Sequence, residues 1–116
     1  MLGFEIRRHG PNSSAYAYWT KVIGEPDRDR EAIDAVSPYR LASAFKAPVL
    51  LIHGAEDTTA PPDQSDKMES ALRSAGPSVS LVRIKGDDHQ LADIQSRARV
   101  LNAVSTFLAT YLKPER

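Results

Sequence analysis

The chain has 116 residues, 41% of them hydrophobic and 26% charged, which is enough for one soluble globular domain with a modest core. Fifteen basic side chains balance fifteen acidic ones, so no charge excess gathers on phosphate backbones or anionic lipid, and neither nucleic acid nor a membrane surface is expected as a partner. There is no cysteine for a disulfide framework or a thiol nucleophile, no signal-peptide order in MLGFEIRRHG, and no apolar run near the roughly 20 residues of a membrane span.

Residues 1–14 end in the loop HGPNSS, which offers Ser13 or Ser14 as a helix N-cap. A helix is expected over 15–23, where Ala15, Trp19, Val22 and Ile23 fall at helical spacing before Gly24 and Glu25-Pro26 stop it. A second is expected over 28–36, with DRDRE as a solvated charged face, and a third over 38–45, opened by Ser37 at the N-cap and Pro38 at N1. From Ala47 the pattern changes. Residues 48–53, PVLLIH, form an apolar run without alternation, as in a strand buried on both faces of a parallel sheet. Residues 63–75 carry Met68, Ala71, Leu72 and Ala75 on one helical face, and Gly76-Pro77 ends them. SVSLVRI supplies a second strand over 79–84, and Ile94, Ala98, Leu101, Val104, Leu108 and Tyr111 step by three and four through a helix over 92–112.

Strand, helix, strand, helix is the right-handed crossover of an α/β sheet. The whole chain, 1–116, therefore reads as a single partial domain, a helical segment over 1–46 preceding the crossover over 47–116. Chemistry in such sheets collects on loops beyond the C-terminal ends of the parallel strands. Two loops qualify: HGAEDTTAPP after the first strand and KGDDHQL after the second. Neighbouring strands lie about 4.8 Å apart, which brings Asp57 and His89 within hydrogen-bond reach. A carboxylate accepting the Nδ1 proton of a histidine fixes its tautomer and stabilises the imidazolium formed when Nε2 takes a proton from a nucleophile. The plainer alternatives are that Asp57 caps the helix beginning near residue 63 and that His89 is a solvated surface residue. His53 is expected to be structural and partly buried near the floor of the site, and His9 a loop residue. Tyr16, Tyr18 and Trp19 form the one aromatic cluster, and aromatics at helical spacing are more often core than ligand wall.

At these residues the sequence resembles the catalytic domain of the prolyl oligopeptidase family of serine peptidases, within the α/β-hydrolase fold. APVLLIHGAEDTTAPPDQSDKMESALRSAG, then VSLVRIKGDDHQL, then a long C-terminal helix agree with it in motif, order and spacing. The upstream SSAYAYWTKVIGEPDRDREAIDAVSPYRLASAFKAPV resembles the helical segment that this family places between its sixth and seventh strands. The resemblance implies a C-terminal fragment of a three-layer α/β-hydrolase sandwich, with Asp57 as triad acid, His89 as triad base and Glu56 a solvated loop residue. It also implies a substrate side-chain pocket for which Tyr18, Trp19 and Ala60 are candidates, and neither a cofactor nor a metal.

The family's nucleophile belongs upstream of the acid in a G-x-S-x-G elbow. The serines before Asp57 are Ser13, Ser14, Ser37 and Ser43, and none has glycines two residues to either side. The chain alone is therefore expected to be inactive toward the peptide or ester substrate of the complete enzyme. Two strands leave a sheet edge and an apolar face uncovered, from which a homo-oligomer is expected. Two rival readings belong to other classes: a noncatalytic α/β module that self-associates, and a metal site built from His53, Asp57, Asp87, Asp88 and His89.

Overall fold

In the computed structural model, which describes residues 2–112, the chain divides into two units, Met1–Ala44 and Phe45–Arg116. The first is helical: α1 (Leu2–Arg8), α2 (Ser14–Val22) and α3 (Arg30–Ala35). α1 is not among the helices expected from the pattern, because seven residues carry too short a repeat to stand out; it forms because Ile6 is buried in the same unit as Ile33. Ser13 caps α2, its hydroxyl oxygen accepting the Tyr16 amide at 3.0 Å, and Gly24 leaves the helix at φ 122°. The helix expected over 38–45 is replaced by turns and a single 3-10 turn, Ala42–Ala44. Arg40 and Leu41 amides both return to the Ser37 carbonyl, and Ala44 returns only three residues, to Leu41. Only Ala42 is buried in this stretch while Leu41 and Phe45 stay exposed, so no apolar face packs to support a longer helix.

The second unit holds β1 (Val49–Gly54), α4 (Asp63–Ala75), β2 (Val79–Ile84) and α5 (Ile94–Tyr111). β1 and β2 are parallel neighbours, in register from Val49 opposite Val79 to Gly54 opposite Ile84. Side chains alternate across the pleat, so each face meets a different helix. His53 and Arg83 point to one side, where they bond to Ser65 and Asp66 of α4. Leu50, Ser80 and Val82 point to the other and line a groove with Ala103 and Phe107 of α5. Helix, sheet and helix thus make three layers, the architecture that the pattern implies.

Local signals place these elements. Gly76 ends α4 in the left-handed conformation, φ 106°, with its amide on the Leu72 carbonyl. Asp93 opens α5 by accepting the Gln95 and Ser96 amides at 2.8 and 3.1 Å. The face of α5 differs from the expected one: Ile94, Leu101 and Leu108, seven residues apart, are exposed, while Ala103 and Phe107 turn to the sheet. α5 is apolar on two sides, so its periodicity does not single out one face. β1 is paired along one edge among the described residues, and Val49 to His53 are only half-buried.

Leu72 is 0% exposed at the α4–sheet interface and Leu101 is 69% exposed. Leu72→Ala should therefore lower the unfolding free energy by about 2–5 kcal/mol, and Leu101→Ala by no more than about 0.5, in urea titrations of the chain. Equal effects would mean that α5 packs through the opposite face.

Candidate active site

Both loops that leave the C-terminal ends of β1 and β2 converge above Gly54. The Asp87 carbonyl accepts the Glu56 amide at 3.0 Å and the Ile84 carbonyl accepts the Ala55 amide at 2.9 Å. A side chain at residue 54 would block this approach: its Cβ would fall 2.6 Å from the Asp87 oxygen and closer still to that of Asp88. Glycine is required here for clearance.

Asp57 is 6% exposed, and its two oxygens do different work. Oδ1 accepts the Thr59 and Ala60 amides at 2.9 and 2.8 Å, a local turn that stiffens the loop without capping α4. Oδ2 lies 2.8 Å from Nδ1 of His89. A carboxylate oxygen only accepts, so His89 carries its proton on Nδ1 and leaves Nε2 as an acceptor. The His89 side chain is 47% exposed, so that acceptor is open to an incoming group. Burial pushes the Asp57 carboxyl up, but the hydrogen bonds from His89 and from the Ala60 and Thr59 amides together outweigh it and hold the group below its ordinary value.

His53 lies beneath this pair, its side chain 11% exposed. Its Nδ1 is 2.5 Å from Ser65 Oγ, and its Nε2 is 2.7 Å from the Ala60 carbonyl oxygen and 3.2 Å from Asp57 Oδ2. Asp57, Ala60, His89, His53 and Leu91 line a common cleft of about 200 Å³. Leu91 sits at φ 47°, the one non-glycine residue with positive φ among those described.

The structure therefore brings together Asp57, His89 and Ala60 of the residues singled out from the sequence. Tyr18 and Trp19 belong to the other unit, on α2, as an exposed edge-to-face pair with ring centroids 5.0 Å apart. Glu56 is exposed and contributes its amide to the loop contact. Asp87 is buried, with Oδ1 on the Asp88 amide and Oδ2 without a hydrogen-bond partner among the described residues. No three His, Asp or Glu side chains among the described residues are arranged to hold a metal ion. Sequence reasoning missed the clearance role of Gly54 and the Ser65 partner of His53. The H-G dipeptide closing an apolar strand was the available signal for the first. Nothing in the pattern marked the second.

A family model for the prolyl oligopeptidase family matches residues 5–115. The chain belongs to that family. It is 29% identical over 112 residues to the uncharacterized peptidase YuxL of Bacillus subtilis, covering 92% of this chain and 17% of that protein. It is 31% identical over 112 residues to the Arabidopsis thaliana protein named probable glutamyl endopeptidase, chloroplastic, covering 88% of this chain and 12% of that protein. Among solved structures, a puromycin-hydrolyzing peptidase of Mycobacterium tuberculosis superposes with a TM-score of 0.78 at 29% identity, over 86% of this chain and 15% of that one. The chain thus spans less than a fifth of the length of each of these three proteins.

Two outcomes follow from this geometry. Gly54→Ala should push the 86–89 loop off the end of β1, seen as loss of the Nδ1–H proton resonance of His89 with the helical circular dichroism retained; a resonance unchanged from wild type would contradict the clearance argument. The Asp57 carboxyl has a folded pKa below its unfolded one, so its stabilisation is complete above the ordinary value of about 3.9 and is lost as pH falls through the folded value. The difference in unfolding free energy between wild type and Asp57→Asn should narrow as pH falls below that ordinary carboxyl value. A gap independent of pH would refute the hydrogen-bonded carboxylate.

Proposed function

We propose that Asp57 and His89 are the acid and base of a serine-type hydrolase site, whose nucleophile comes from outside these 116 residues. The observation that carries this reading is the 2.8 Å contact between His89 Nδ1 and the buried Asp57 Oδ2, with Nε2 left open on a half-exposed ring. Family membership supports it, since the family is one of peptidases.

In the reaction, a serine hydroxyl gives its proton to Nε2 as its oxygen attacks a peptide or ester carbonyl. The imidazolium that results lies against the ionised Asp57, which stabilises it and keeps the ring oriented. The proton then passes from Nε2 to the leaving amine or alcohol, and water repeats the cycle on the acyl intermediate. Nothing in these steps needs a cofactor. Ala60, which lines the cleft, is proposed to contact substrate there; for Tyr18 and Trp19 the support is the exposure of their rings.

A fluorophosphonate probe should leave the chain alone unlabelled. Ester hydrolysis should appear when the chain is mixed with a polypeptide carrying the family's G-x-S-x-G segment, and His89→Gln should reduce that turnover by about 10⁴–10⁶-fold. Labelling of the chain by itself, or reconstituted turnover indifferent to His89→Gln, would overturn the assignment.

One observation favours an additional activity, self-association. β1 pairs along one edge among the described residues, and its apolar run is half-buried. Light scattering at micromolar concentration should give a mass above that of one 12.8 kDa chain, and a monomeric mass would refute it.

A further inference from the structure

His53 takes no part in the proton transfers above, yet its ring is more enclosed than that of His89 and touches three partners. Its protonation pattern follows from those partners. The Ala60 carbonyl has lone pairs alone, and it lies 2.7 Å from Nε2. Asp57 Oδ2 lies 3.2 Å from the same nitrogen. A bare lone pair on Nε2 would face two acceptors at once, so Nε2 carries the hydrogen. The neutral ring then offers a lone pair at Nδ1, 2.5 Å from Ser65 Oγ, and the hydroxyl is the donor there.

We infer, resting on the acid and base reading above, that His53 is a positioning residue for the Asp57–His89 pair. As the Nε2–H tautomer it pins the Ala60 carbonyl and presents its N–H edge to Asp57 Oδ2, and the Ser65 hydroxyl selects that tautomer.

Geometry explains why this pinning matters. Ala60 is held on both sides of its residue, its amide donating to Asp57 Oδ1 at 2.8 Å and its carbonyl accepting from His53. The turn that aims the carboxylate is thus fastened to the end of β1 through His53 and to the first turn of α4 through Ser65. The imidazole N–H dipole also lies beside Oδ2, where its positive end favours the ionised carboxylate over the protonated one. One rigid strand and one rigid helix therefore fix a loop side chain, and the loop in turn fixes His89.

The test uses the full chain labelled with ¹⁵N at histidine, and reads the two tautomers from long-range ¹H–¹⁵N correlations well above the ordinary histidine pKa of about 6.5. Wild type should show Nε2–H at His53 and Nδ1–H at His89. Ser65→Ala should lower the Nε2–H to Nδ1–H ratio at His53 about fivefold, the worth of one neutral hydrogen bond. His53→Phe should lower the Nδ1–H to Nε2–H ratio at His89 by a similar factor, and His53→Gln, whose amide can donate to the same carbonyl, should restore most of it. Circular dichroism checks that each variant folds, and if His53→Phe does not, Ser65→Ala decides. Nδ1–H at His53 in wild type, an unchanged His53 ratio in Ser65→Ala, or an unchanged His89 ratio in folded His53→Phe would overturn the inference. A wild-type His89 protonated at Nε2 would instead sink the acid and base reading itself, whatever His53 does.

Discussion

A buried carboxylate that stays ionised must be surrounded by donors, and the arrangement of the second unit is organised around meeting that demand for Asp57. Taking a carboxylate out of water costs several kcal/mol unless its oxygens are satisfied. Its own loop supplies two amides, the loop after β2 supplies an imidazole N–H, and the end of β1 sets a second ring 3.2 Å away. All but the last of these donors come from loops that are otherwise irregular. The carboxylate converts two flexible connections into one defined surface, and the parallel pairing of β1 with β2 makes that possible by sending both loops to the same end of the sheet. Loss of any one donor leaves charge unpaired in a place water reaches poorly, so the site resists partial formation.

How far this could be read in advance varies with the kind of signal. β1, α4 and β2 were legible because PVLLIH is an apolar run without alternation, SVSLVRI is rich in β-branched residues, and Gly76 marks a stop at φ 106°, a conformation that side chains rarely adopt. The meeting of Asp57 and His89 was legible too, since adjacent parallel strands leave it little freedom. The packed face of α5 was not, because Ile94, Leu101 and Leu108 repeat as regularly as the residues that actually meet the sheet. Nor was α1, or the collapse of 38–45 into turns, where Ala42 alone is buried and local helix preference finds no packed face to support it. Ser65 escaped because its partner is twelve residues away and depends on which helical turn faces the sheet.

Membership of the prolyl oligopeptidase family says what the chain is related to, and the geometry of the cleft says which of its side chains meet. The family match spans residues 5–115. The geometry rests on hydrogen-bond directions within one unit of the fold. The half-buried run of β1 and the outward apolar stripe of α5 have a common reading in this setting: both are surfaces with more hydrophobic area than a sheet of two strands can cover.

Leu91 has a further consequence. Holding a leucine in the left-handed region costs about 1–2 kcal/mol, and the backbone bears this cost two residues past the imidazole and two before Asp93. Such a kink persists only while both ends are clamped, one by the carboxylate and the other by the first turn of α5. Fraying of that turn would let the kink unwind and carry the ring away from its acid. The tightness of the α5 start thus becomes a quiet regulator of how squarely the imidazole of His89 faces the carboxylate of Asp57.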